Sequence, residues 1–351
     1  MGKTSLRVMS MNLENLFSPG YSFYGTEYSL SEYRAKMDWI GAMIGQAQAH
    51  VVALTELGEN SEICIQDLIQ AVNKNDLTGW PPFNFEFRAE PSKGSTKIRS
   101  AIVSRFSLAD GESIIEYPAG FHVELHKPGT DADNPYNWTV IPSVEFNRPV
   151  VRIRVAPENG TAFNMFVVHL KSKRPAKAKH DDYNEAIGIA RAAIQRNVEA
   201  AALRFYLDDF LPSQFDLDPK IPTIVAGDFN DAPSGVPVEN IRGSFDTVPG
   251  PSRPWSQVDK RRLINCARLH LKKSAYEDKL FSYIHDENFT LLDHIFVTEH
   301  LPSKFVRYEI YNDHVLRHQA LSSPTDQEKQ WKSMVSDHGV VVAEFSRMLK
   351  G

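Results

Sequence analysis

Two cysteines in 351 residues, Cys64 and Cys266, are too few for a disulfide framework or a cysteine-ligated zinc site. They read as incidental thiols of a reducing compartment. No apolar run approaches the roughly 20 residues needed to cross a bilayer. Residues 1–5 are not followed by the apolar stretch of a secretory leader. The expectation is therefore a cytoplasmic protein without stable membrane insertion. A basic excess is missing too: the formal net charge is −5, which excludes a protein that coats nucleic acid by charge alone. It does not exclude an enzyme that cuts nucleic acid, because metal-binding carboxylates make such a centre acidic. Neither G-x-S-x-G nor a papain-like cysteine context occurs, and there is no phosphate loop or dinucleotide fingerprint. No repeat, low-complexity tract or linker-like shift divides the chain, so residues 1–351 are expected to form a single domain.

A composition of 42% hydrophobic and 24% charged residues suffices for a sizeable core and marks no segment as disordered. Residues 5–12 (SLRVMSMN) alternate as a strand does. Residues 33–49 have helical period through Met37, Ile40, Met43 and Ile44, and lead into the apolar strand 50–56 (HVVALTE). A helix is expected over 61–72, with Ser61 as its N-cap. Strands follow at 99–104 and, joined by a hairpin signal at 157–160, at 150–155 and 162–169. The longest helical pattern covers 184–210. A strand at 221–226 (IPTIVA) runs into a tight turn at 227–230, and later strands are expected at 292–297 and 340–345. Stretches 118–147, 236–259 and 311–336 lack a period and read as surface loops. Strands separated by helices indicate an α/β layered fold with functional groups at strand ends.

The chemistry-bearing residues stand at those ends. Asp228 and Asn230 follow the glycine of Gly-Asp-Phe-Asn, where an Asp can activate a water and an Asn amide can donate to a phosphoryl oxygen. Asp337-His338 precedes the strand VVVAEF. Asp293 interrupts an apolar run, where a carboxylate needs a partner such as a histidine. Glu56 and Asn12 end strands as hard oxygen ligands suited to Mg²⁺ or Mn²⁺, with Glu14 a nearby third candidate. His169 ends FNMFVV and is followed by Lys171, Lys173 and Arg174, then Lys177 and Lys179, which suit flanking phosphates. Taken singly, each has an ordinary reading as a turn, a capped strand end or a solvated face. Their combination points to metal-assisted hydrolysis of phosphate esters.

Their order resembles the endonuclease/exonuclease/phosphatase (DNase-like) superfamily, nearest to poorly characterised bacterial members. That family shows a strand ending in Asn, one ending in Glu, one ending in His-Leu, a Gly-Asp-x-Asn turn, an Asp-containing strand and a terminal Ser-Asp-His. The resemblance implies a four-layered α/β/β/α sandwich with two mixed sheets. It also implies metal binding by Glu56 with Asn12 and Asp337. Water would be activated at Asp228 with Asn230, and phosphoryl charge steadied by His169 and by His338 supported by Asp293. Arg99, Ser100 and His294 depart from the family's usual wording, which bears on substrate class. The first expectation is a Mg²⁺- or Mn²⁺-dependent nuclease or phosphodiesterase acting on nucleic acid, with no protein partner. The alternative is a phosphatase for a small or lipid phosphate, for which Phe121 or Trp138 would supply an exposed apolar loop. An inactive binding module is disfavoured, because Glu56, Asp228 and His338 are all present.

Overall fold

A computed structural model of the protein describes residues 4–23, 26–58, 60–74, 82–86, 98–127, 130–131, 134, 138–141, 144–177, 184–217, 219–243, 261–272, 280–320 and 325–349. Lys179, the side chain of Trp138 and residues 244–259 of the expected loop 236–259 lie outside these, whereas the start of that stretch, Val236–Arg242, is helical. Twelve strands make up the two large sheets: β1 (Leu6–Leu16), β2 (Val51–Leu57), β3 (Asn84–Glu86), β4 (Arg99–Ser104), β5 (Ser107–Glu116), β6 (Glu145–Ala156), β7 (Phe163–His169), β8 (Thr223–Asp228), β9 (Leu263–Asn265), β10 (Asp293–Thr298), β11 (Phe305–Tyr311) and β12 (Val340–Phe345). One sheet has the order β11-β12-β1-β2-β4-β3 and the other β9-β10-β8-β7-β6-β5. Each is mixed, with β1 parallel to β2 and β7 parallel to β8 amid antiparallel neighbours.

The strands are apolar on both faces because both faces are covered. Leu6, Val8, Val51 and Ala53 meet Val151, Ile153, Met165, Val167 and Ile224 between the sheets. Alternate residues Met9, Met11, Val52 and Leu54 face outward onto the helices α1 (Leu30–Ala47) and α2 (Ser61–Lys74). On the other side Phe166, Val168 and Val225 pack on α3 (Glu185–Phe215) and α4 (Val236–Arg242). The result is the expected α/β/β/α sandwich. Among the described residues, no helix is long and apolar enough to cross a membrane.

Several boundaries differ from the sequence reading. Helix α1 starts earlier, at a capping box formed by Ser29 and Glu32. Ser61 is the first residue of α2, and Asn60 O receives the Ile63 and Cys64 amides instead. Helix α3 continues through Pro212. Edge strand β5 has no clear sequence signal because it is half-buried to exposed along most of its length and carries no long apolar run. After the short α5 (Cys266–Leu271), the expected loop 311–336 turns out to hold α6 (Asp313–Ala320) and α7 (Asp326–Met334). These are short and polar, with Val315 the one buried residue between them, so they lack the stripe that marks a helix. Stretch 118–147 contains a short antiparallel pair, Glu124–His126 with Trp138–Val140.

His50, at the head of β2, yields a stability prediction. Its Nδ1 accepts the Arg7 amide at 3.0 Å and its ring stacks on Phe106. Burial, helped by Arg105, pushes its pKa down to about 4. The folded protein thus binds fewer protons than the unfolded chain, whose histidines titrate near ~6.5. The contribution is complete above that pH and is lost as pH falls toward 4, amounting to roughly 3 kcal/mol. His50→Asn keeps an acceptor for Arg7 and removes the titration. Urea midpoints should fall more steeply for wild type than for the variant between pH 7 and 4.5; parallel profiles would refute the assignment.

Candidate active site

Strand register assembles the site. His169 ends β7 beside Asp228, the last residue of the parallel β8, and Asp228 faces Asp293 on the antiparallel β10. Asp293 opens its strand, where the sequence reading had it interrupting one. Gly227 holds φ +143°, and a Cβ there would overlap the Val168 carbonyl, with the Val168 carbon and nitrogen both at 2.9 Å. Asp228 closes an Asx turn on Asn230, which holds φ +52°. The Asn230 backbone N–H donates to Asp228 Oδ1 at 2.8 Å and its amide to Oδ2 at 3.1 Å. The Asn12 amide donates to the same Oδ2 at 3.1 Å. Asp228 is therefore fixed by donors from both sheets while buried. Burial pushes its pKa up to about 7, the nearby His338 offsetting part of the rise.

Ser336 sets the position of His338: its hydroxyl donates to Asn12 O at 2.8 Å and accepts the His338 amide at 3.0 Å. His338 Nδ1 lies 2.8 Å from Asp293 Oδ2, and Nε2 faces Asp228 Oδ2 at 4.0 Å. Burial alone would lower the pKa of this imidazole, but Asp293 and Asp228 outweigh it and hold the ring charged well above the usual histidine range. Ser282 braces Asp293 by accepting the Leu292 and Asp293 amides at 3.0 and 3.1 Å. The Tyr283 ring packs against His338 at 4.8 Å.

The acidic side is built on bent backbone. Glu56, at φ +63°, accepts the Asn15 amide on Oε2 at 3.1 Å. Its Oε1 lies 3.7 Å from His169 Nε2, which is also 3.7 Å from Asp228 Oδ2. The His169 ring is fully buried, neither nitrogen has a hydrogen-bond partner among the described residues, and burial with Arg148 keeps it neutral. Glu14, the third candidate ligand of the sequence reading, belongs here. Its carboxylate accepts the Asp337 amide at 3.1 Å and lies 3.9 Å from His318 on α6. Burial and Asp337 push its pKa up to about 8. The two-residue spacing from Asn12 was its sequence signal.

A divalent cation suits this donor set. Ligand atoms of Glu56, His169 and Asp228 all lie within 4.8 Å of one another, the imidazole nitrogens are unpartnered among the described residues, and the Glu56 carboxylate adds to the upward shifts of Glu14 and Asp228. Asp228, Asp293 and His338 form a second such trio, but there Asp293 is already hydrogen-bonded to the imidazole.

The basic stretch divides. Lys171 is half-buried; its ammonium donates to Ser172 and to Arg174 O, and burial lowers its pKa to about 8. Lys173 is exposed, 3.7 Å from Asp231. Arg174 is exposed, and its charge reaches Tyr283 beside His338. Two buried residues outside the sequence-derived set hold the end of β7: Arg148 donates to Leu170 O at 2.8 Å and Glu199 accepts the Lys171 amide at 2.8 Å.

Solved structures share the fold. The catalytic domain of human Nocturnin superposes with a TM-score of 0.55 at 15% identity, covering 97% of this chain and 94% of that one. A humanized D. rerio TDP2 carrying 14 mutations gives 0.51 at 13% identity, covering 97% and 99%. An endonuclease/exonuclease/phosphatase family protein from Leptotrichia buccalis gives 0.51 at 13%, also covering 97% and 99%. No curated protein matches the sequence. At such identities the likeness speaks for the fold alone. The sequence profile of the Endonuclease/Exonuclease/phosphatase family, however, matches residues 12–338, from the first candidate site residue to the last. The chain belongs to that family and is a metal-dependent phosphoric ester hydrolase.

Proposed function

We propose that the protein is a phosphodiesterase of the nuclease type, hydrolysing a P–O bond by in-line attack of water with Mg²⁺ or Mn²⁺. The observation that carries this reading is the single row His169, Asp228, Asp293 across one sheet, with His338 and Glu56 closing on it from the other. Of the Glu56, His169 and Asp228 group, Glu56 would hold the metal, joined by its acidic neighbours Glu14 and Asp337, and the metal would supply Lewis-acid stabilisation of charge on the phosphoryl oxygens. Asn12, whose amide is engaged with Asp228, positions that carboxylate. Asp228 accepts the proton of the attacking water, which Asn230 helps to orient. The His338 imidazolium, steadied by Asp293, donates from Nε2 to a nonbridging oxygen, and neutral His169 faces the same space from the opposite side. Arg174, exposed near Tyr283, suits a flanking phosphate, which a polynucleotide has and a small monoester lacks. Lys173 serves as a peripheral charge, and Lys171 shapes the loop.

The test is hydrolysis of plasmid DNA, abasic duplex, RNA, bis-p-nitrophenyl phosphate and p-nitrophenyl phosphate side by side, with Mg²⁺, Mn²⁺ and EDTA. Cleavage of a polymer or the diester, abolished by EDTA, is expected. Cleavage of the monoester alone would overturn the diesterase reading in favour of a small-substrate phosphatase.

A further inference from the structure

Lys36 on α1 lies beneath the acidic side of the site with none of its surface exposed. Its ammonium donates to Glu14 O at 3.1 Å and to the Tyr28 hydroxyl at 2.9 Å, and sits 5.3 Å from the Tyr28 ring centroid. The Tyr28 hydroxyl in turn reaches Glu14 O at 3.5 Å. The ammonium's charge reaches the Glu14 carboxylate, but both of these hydrogen bonds go to neutral oxygens, and for stability alone an apolar side chain of similar length would avoid the desolvation. What the arrangement grips is specific. Register between β1 and β2 slips between Asn12 and Leu16, and the residues in the slip, Glu14 and Asn15, both hold left-handed backbone at φ +49° and +56°. A bulge of this kind redirects side chains. Here it sends the Glu14 carboxylate to the Asp337 amide and the Asn15 amide to Glu56. Non-glycine residues keep such backbone only where their surroundings enforce it, and the Glu14 carbonyl is the point of attachment.

We propose that Lys36 is a positioning residue for the metal pocket: by clamping the Glu14 carbonyl together with Tyr28, it holds the β1 bulge that presents Glu14 and anchors Glu56. This rests on the reading of Glu14 and Glu56 as metal-holding residues. A role through charge alone makes the opposite prediction, because a cation removed from the edge of a cation site should tighten metal binding. The experiment is calorimetric titration of metal-free protein with Mn²⁺ for wild type, Lys36→Met and Tyr28→Phe, alongside melting temperatures without metal. Lys36→Met should melt no lower than wild type yet bind Mn²⁺ about tenfold more weakly or worse, the size of effect that supporting residues around metal ligands produce. Tyr28→Phe, which keeps the lysine, should show a smaller shift in the same direction and decides the matter if Lys36→Met does not fold. An unchanged or tighter Mn²⁺ Kd in the folded variants overturns the clamp while leaving the metal pocket standing. Failure of wild type to bind Mn²⁺ overturns the pocket itself and the clamp with it.

Discussion

Alanine at Asp228 is expected to lower kcat by at least ~10³-fold on whatever ester the wild type cleaves, with little change in KM. Three donors converge on this carboxylate, from Asn12 and twice from Asn230, and His338 Nε2 faces it across 4.0 Å. None of those contacts is core packing. They fix one basic oxygen where a water must lose its proton. With its pKa pushed up by burial to about 7, Asp228 is both ionised enough to accept that proton and basic enough to hold it near neutrality. The same shift makes the residue a burden on the fold. Its pKa is raised above the unfolded value, so the folded state keeps the proton longer and stability falls as pH rises from about 4 to about 7. The metal-free variant should therefore melt no lower than wild type at about pH 8, a separation of activity from stability typical of functional sites. His338→Ala should also abolish most turnover. Because the two groups face each other, the double variant should lose less than the product of the single losses. A folded Asp228→Ala protein keeping more than about a tenth of wild-type turnover would remove the residue from the proposed mechanism.

The parts of this site that could be read from sequence are those that end apolar runs. Asn12, Glu56, His169, Asp228, Asp293 and His338 each adjoin a strand of buried residues, and a polar group at that boundary stands out against it. Register then does the rest, aligning His169, Asp228 and Asp293 in one row. Glu14 was only half visible, because its place depends on a bulge, and a bulge has no residue signature unless glycine forms it. Lys36 was invisible for a different reason: a lysine on an amphipathic helix is ordinarily a solvated one, and nothing local marks this one as fully buried. Lys171 likewise read as a surface charge but folds back on its own loop. Helices α6 and α7 were missed because they are stabilised locally rather than by an apolar stripe. A capping box of Thr325 and Glu328 starts α7, and α6 brings His314 and His318 toward the site, His314 Nε2 donating to the His338 carbonyl. The sandwich was legible because burial dominates it, whereas the rim is decided by single polar contacts.

Gly227 should be as sensitive as Asp228, through the fold rather than the chemistry. At φ +143° the backbone is in a region that L side chains rarely adopt, and a Cβ would run into the Val168 carbonyl. Relief by a rotamer change is impossible because the obstacle is main chain. Either β8 moves away from β7 or Gly227 changes its backbone angles, and both break the parallel pairing that sets His169 beside Asp228. Gly227→Ala should cost more than about 4 kcal/mol, in the range reserved for backbone strain and core disruption. In a chain of this size that corresponds to a melting temperature at least roughly 5 °C lower, or to insoluble protein. Activity should fall further than the folded fraction does. At a temperature where circular dichroism reports the variant fully folded, turnover should still be at least ~10²-fold down, because displaced donors forfeit transition-state stabilisation even when present. Melting within about 2 °C of wild type would mean that this turn tolerates a side chain. The close approach of β7 and β8 would then not be what sets the geometry of Asp228. Normal turnover in a destabilised variant would instead show that the row survives a shifted strand, leaving the Asn12 and Asn230 donors as the features that place the carboxylate.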